Sequence, residues 1–142
     1  MRGRRLLSWA VVAGVALSVP AAAGAQKIER KPAQPIASVE GVDTFRAYCA
    51  VCHGADAKGN GPAAKALSKA PADLTTIAKR HGAFSQSDVE STILGSSEMI
   101  SHGTREMPIW GPVFRAVSGN DPSFAKLRLA NVVSYLKSIQ TQ

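Results

Sequence analysis

The rhythm of hydrophobic and polar positions changes three times along the chain. Leu6–Val19 is an apolar run behind the basic stretch Met1–Arg5. From Gln26 to Ser38 the apolar positions lose periodicity, and Pro32 and Pro35 stand among charges, which predicts a flexible leader. From Val39 onward the spacing is helical: Val39, Val42, Phe45 and Ala47–Cys49 fall near one face at the 3.6-residue repeat. Gly54–Pro62, with three glycines and a proline, predicts a loop. Pro62–Lys69 predicts a short helix with proline at its first position, and Leu74–His81 another, ended by Gly82. Ser85 and Asp88 form a capping-box pattern that opens Gln86–Leu94, with Gly95 as the stop. Ser96–Pro112 is polar and broken by Gly and Pro, a long loop, and Pro112–Val117 predicts a brief helical turn. The last helix has the clearest start, Asp121 as N-cap and Pro122 at the first position. Phe124, Leu127, Val132, Val133, Leu136 and Ile139 give it an apolar face. No stretch alternates as a strand would and no segment repeats, so the pattern is all-α with long loops.

Residues 1–25 combine a basic start, an apolar run and Ala23-Gly24-Ala25 before Gln26, the pattern of a cleaved secretory signal peptide. The apolar run is short of the roughly 18 residues expected of a spanning anchor, and no cysteine stands at the cleavage point to carry a lipid. With the Arg4-Arg5 pair, this predicts export to a bacterial periplasm, a leader at 26–38 and a folded domain at 39–142. The formal net charge of +7 raises nucleic acid as a partner, but its distribution removes the suggestion. Arg2, Arg4 and Arg5 lie in the signal, and Lys27, Arg30 and Lys31 oppose only Glu29 in the leader. The folded part is close to balanced. With 142 residues and few aromatics, the domain can bury one modest core and calls for something else to fill its interior.

Both cysteines fall in Cys49-Ala50-Val51-Cys52-His53, the C-x-x-C-H pattern of covalent haem attachment. On a helix, positions three and four apart share a face. Cys49 and Cys52 can therefore reach one edge of a porphyrin, and His53 arrives beneath its iron as an axial ligand. Gly54 lets the chain turn away. Three other readings compete. A thioredoxin-type dithiol would follow a strand, and none is visible. Zinc needs four ligands, and there is no second cysteine pair. An idle disulfide would leave the histidine to chance.

Haem iron with histidine on one side takes Met, His or nothing on the other. Met107 precedes Pro108, which fixes the backbone beside it and prevents helix, so a loop methionine there can cross a haem face. Met99, His102 and His81 are the competing ligands.

On these residues, 41 to 139 resemble a class I c-type cytochrome of the bacterial single-haem kind. Gly41 and Phe45 match the glycine and aromatic of the family's first helix, and Val132 and Tyr135 the apolar and aromatic positions of its last. Cys49, Cys52 and His53 match the haem motif and Met107-Pro108 the axial methionine. The resemblance implies an all-α fold of four to five helices around one haem c, with His53 and Met107 on the iron. It implies that the Pro62 carbonyl accepts the His53 ring proton, and that Trp110 either lies over the haem, bonds a propionate or fills the core. It implies one-electron exchange with a protein donor and acceptor rather than bond chemistry. The protein is then a monomeric carrier or a subunit of a redox complex, without nucleic acid or membrane insertion after cleavage. Lys58, Lys65 and Lys69 are candidates for a docking rim, or plain solvated charges.

Overall fold

In the computed structural model, residues 32–96 and 107–141 are described; the expected signal peptide, Met99 and His102 lie outside them. Among the described residues there is no strand. These residues form six α-helices: α1 (Gly41–Tyr48), α2 (Ala50–His53), α3 (Ile77–His81), α4 (Gln86–Leu94), α5 (Trp110–Val117) and α6 (Pro122–Ser138). Single 3-10 turns stand at Ala64–Ala66 and Leu74–Thr76. The number exceeds the expected four to five partly because the first helix breaks at Cys49, leaving its last turn as α2.

Local chemistry sets several boundaries. The Ser85 hydroxyl accepts from the Asp88 N–H at 3.3 Å and opens α4, while Gly95 closes it in the left-handed region at φ 76°. Asp121 accepts from the N–H groups of Ser123 and Phe124 and opens α6 at Pro122. Helix α5 starts at Trp110, two residues before the expected Pro112. Proline there lies in the first turn, where a missing N–H costs no helical bond. The expected helix at Pro62–Lys69 shrinks to the turn Ala64–Ala66.

Helix α6 is the centre of the fold and packs on α1, α4 and α5. Phe45 and Phe114 are buried against Leu129, Val132, Val133 and Leu136, and each phenyl contributes about 2–3 kcal/mol by burial. Phe45 also meets the Tyr135 ring at 5.3 Å. At the α1–α6 crossing the backbones come so close that a Cβ on Gly41 would overlap the Asn131 carbonyl and crowd Tyr135 Cβ. The apolar face read for α6 is corrected at its start. Phe124 and Leu127 are 52% and 43% exposed, while the next residue, Arg128, is 2% exposed.

Arg128 is buried because four oxygen atoms meet it. Its guanidinium donates to the Ser38 carbonyl at 2.7 Å, the Ile36 carbonyl at 3.2 Å, Thr44 Oγ1 at 3.3 Å and Ser118 Oγ at 3.5 Å. It also lies 5.9 Å from the centre of the Tyr48 ring. Tyr48 donates to the Gln34 carbonyl at 2.8 Å and Asn131 to the Val39 carbonyl at 2.9 Å. The end of the expected leader is thus fastened to the domain: backbone carbonyls at 34, 36, 38 and 39 all find side-chain donors. Arg128→Met is expected to cost on the order of 3 kcal/mol, because it strands several buried acceptors at once. Thermal unfolding of the purified protein measures this, and a loss within about 0.5 kcal/mol would mean that the guanidinium holds nothing. Among the described residues no helix is long and apolar enough to cross a membrane.

Candidate functional site

Tyr48, Cys49 and the short helix α2 form one continuous stretch, so the aromatic core and the thiols are neighbours in the chain. Cys49 departs from helical geometry at φ −108°, yet its carbonyl still accepts from the N–H groups of Cys52 at 3.1 Å and His53 at 2.9 Å. Both cysteines are free thiols and partly exposed. Burial, with Cys52 beside it, pushes the Cys49 thiol up to about 12, and burial raises Cys52 as well. Both are therefore protonated at neutral pH. Gly54 then takes φ 80°, and the chain leaves the helix.

The glycine-rich loop doubles back on α2 and caps it. Gly59 N–H donates to the His53 carbonyl at 2.7 Å, Gly61 N–H to Cys52 at 3.0 Å and Ala63 N–H to Val51 at 2.9 Å. These bonds satisfy carbonyls that a helix end leaves unpaired. Gly61 is pressed so close that a Cβ would crowd the Val51 and Ala50 carbonyls. They also overturn the expectation for Pro62. Residues 61–63 are committed to the backbone end of α2, and the carbonyl that meets the His53 ring is that of Ala72, 3.0 Å from Nδ1. The segment bearing Ala72 reaches the ring by passing over Gly59, where a side chain would strike the Pro71 carbonyl.

Asp73 secures that segment. Its carboxylate accepts from the Thr75 hydroxyl at 2.6 Å and the Thr75 N–H at 2.8 Å, and these bonds hold it below the ordinary carboxylate value. Neither Ala72 nor Asp73 was among the sequence candidates. The signal was present, since Asp immediately before a helical segment is a strong cap.

His53 is half-buried. Burial lowers its imidazole below the ordinary value, against the Ala72 hydrogen bond that raises it. A neutral ring whose Nδ1–H is taken by a carbonyl leaves Nε2 for a metal, and the bonded carbonyl makes that nitrogen more basic.

Trp110 packs 5.7 Å from Phe114 and 6.1 Å from Tyr48, and Tyr48 lies 6.1 Å from Phe114. This trio joins the residue before Cys49 to the start of α5. Met107 lies three residues before Trp110, so it is tethered within about 10 Å of it along the chain. Met107 is half-buried and packs against the core, and Pro108 is exposed. His81, at the end of α3, is exposed. Lys58, Lys65 and Lys69 are all exposed.

The donor set fits a covalently held haem. Two unpaired thiols, three residues apart, precede a neutral imidazole with its Nδ1 engaged. Partly buried Leu74, Phe84, Val89, Met107 and Trp110 add an apolar lining around the core. No group of three or more His, Cys, Asp or Glu side chains that could hold a bare metal ion occurs among the described residues.

The chain matches a family model described as cytochrome c oxidase, cbb3-type, subunit III, over residues 37–118. No curated protein and no solved structure matches it.

Proposed function

The chain belongs to this cytochrome c family, and from that premise we propose that it is a periplasmic one-electron carrier with haem c on Cys49 and Cys52 and with His53 and Met107 on the iron. The observation that carries the proposal is the motif itself: free Cys49 and Cys52 on one helical turn, followed by His53 with its Nδ1 held by Ala72.

The bound haem supplies a ferrous–ferric couple. Cys49 and Cys52 would hold the haem covalently, each through one thioether bond. The two bonds hold the group on a small domain whose long loops could not retain it by packing alone. His53 would hold the iron through Nε2, strengthened by the Ala72 carbonyl at its other nitrogen. The Met107 thioether is a soft donor that favours the ferrous state and raises the potential. Tyr48, Trp110 and Phe114 exclude water from one side of the motif, which disfavours the added charge of the ferric state. With His53 and Met107 both holding the iron, no position would remain for substrate, and the chain would carry electrons rather than perform bond chemistry. Val51, between the two cysteines, is 51% exposed and offers an apolar contact where a redox partner would meet the thioether edge.

The absorption spectrum of the reduced, denatured haem adduct is the direct test. Band positions for two thioether bonds, and haem that resists acid extraction, are the expected result. Extractable haem overturns covalent attachment.

The matched family's description names an oxidase subunit, which favours a second reading: a haem subunit held in a larger complex. The two part on purification. A carrier elutes as a reducible monomer, whereas a subunit stays with a large redox enzyme.

A further inference from the structure

We propose that Gln140 and Thr141, just past the end of α6, are positioning residues for the axial histidine, clamping the segment whose Ala72 carbonyl holds the His53 ring. The inference rests on the reading that His53 ligates haem iron.

From Ala72 to Thr75 every backbone carbonyl is committed. Ala72 takes the His53 ring. Asp73 takes the Arg80 guanidinium at 2.6 Å. Leu74 takes Gln140 Nε2 at 2.7 Å. Thr75 takes both the Thr141 N–H at 2.8 Å and its hydroxyl at 3.1 Å. The Gln140 amide does more than close one bond. Its Nε2 also donates to the carbonyl of buried Leu136 at 2.7 Å, and its Oε1 accepts from the Ala78 N–H at 2.9 Å. One side chain therefore ties the 3-10 turn at Leu74 and the first turn of α3 to the core helix. The opposite side of the segment is held by Leu74 N–H on the Ala57 carbonyl at 2.7 Å. Ala72 is two residues from Leu74, within about 7 Å of chain, so freedom at Leu74 becomes freedom of the carbonyl at the ring.

The chemistry follows from that carbonyl. A firm Nδ1–H···O=C bond makes His53 a stronger donor and stabilises ferric iron. Loosening the clamp weakens the bond and raises the potential. A purely structural loss acts in the opposite direction, since water admitted to the site stabilises the ferric charge and lowers the potential. The sign of the change separates the two.

The experiment uses the full holoprotein. Gln140→Met keeps the length of the side chain and removes its amide. Thr141→Val removes one of the two bonds to Thr75 and leaves the backbone bond. Ser138→Ala is the control, because the Ser138 hydroxyl donates to the Tyr135 carbonyl within α6 and Ser138 is exposed. Two quantities are read: deuterium exchange of the His53 Nδ1–H in the ferric NMR spectrum, and the midpoint potential. For Gln140→Met the exchange is expected to quicken about tenfold, the weight of one hydrogen bond, and the potential to rise. Thr141→Val moves both in the same direction by less, and carries the test if Gln140→Met fails to hold haem. Ser138→Ala changes neither. Unchanged exchange, or a potential that falls, overturns the clamp while leaving the haem reading intact. Absence of any His53 ring signal from the unmodified ferric protein overturns the haem reading and the clamp with it.

Discussion

Replacing Gly41 with valine is expected to cost the protein most of its stability, more than about 3 kcal/mol out of a total of order 5–15 kcal/mol. The reason is the nature of the obstacle. A Cβ at position 41 would overlap the Asn131 carbonyl and press on Tyr135 Cβ. Neither atom sits at the end of a rotatable side chain, so only movement of α1 away from α6 relieves the clash. That movement would part Phe45 from Val132 and Val133, the centre of the core, and strain the Asn131 bond to the Val39 carbonyl. Alanine already introduces the offending atom, so Gly41→Ala should do much of the damage. Gly82 provides the comparison. It has φ 79° but no atom within 4 Å of a built Cβ, so Gly82→Ala carries only the left-handed penalty of about 1–2 kcal/mol. Thermal unfolding should rank Gly41→Val below Gly41→Ala, and both below Gly82→Ala. If Gly41→Val melts close to the unmodified protein, the close crossing is not what the structure says it is.

What could be read from the sequence divides along physical lines. Helix α4 was legible to the residue, Ser85 to Gly95, because capping is settled by a side chain and a backbone group a few positions apart. The start of α6 at Asp121-Pro122 was legible for the same reason. The motif at 49–53 was legible because it depends on a fixed spacing, whereas the meeting of Gly41 and Phe45 with Tyr135 was legible only through the family resemblance, which matches the first helix and the last. The His53 acceptor was not. The resemblance implies Pro62, but the Gly61 and Ala63 N–H groups beside it turn back to cap α2, and only the three-dimensional path brings Ala72 to the ring. Arg128 was hidden more completely. Its position on α6 reads as polar, and its two backbone-carbonyl partners lie 90 and 92 residues away. Its burial leaves Phe124 and Leu127 exposed on the same helix, the reverse of what hydrophobic spacing predicts. Carbonyl acceptors leave no trace in residue types, which is why both misses involve them.

Met107→Ala carries the largest expected change in chemistry, since it removes the proposed sixth ligand and leaves every other part of the site in place. The aromatic trio anchors the start of α5 through Trp110 and so limits how far the loop before it can move. Of the competing ligands, His81 is exposed on α3, and Met99 and His102 lie outside the described residues. With the thioether gone, the ferric absorption spectrum is expected to change from low-spin to high-spin. The potential is expected to fall on the order of 0.1 V or more, a modest part of the ~0.8 V that axial ligands command. Met107→His should restore a low-spin spectrum without restoring the potential, because imidazole lacks the softness that favours ferrous iron. Stability should change far less than for Gly41→Val, because a half-buried loop side chain contributes little to the core. If the alanine variant stays low-spin at an unchanged potential, another residue holds the iron and the axial role of Met107 is lost. If the unmodified protein is already high-spin and binds small ligands, the sixth position is open, and the site belongs to a sensor or an enzyme rather than to a carrier.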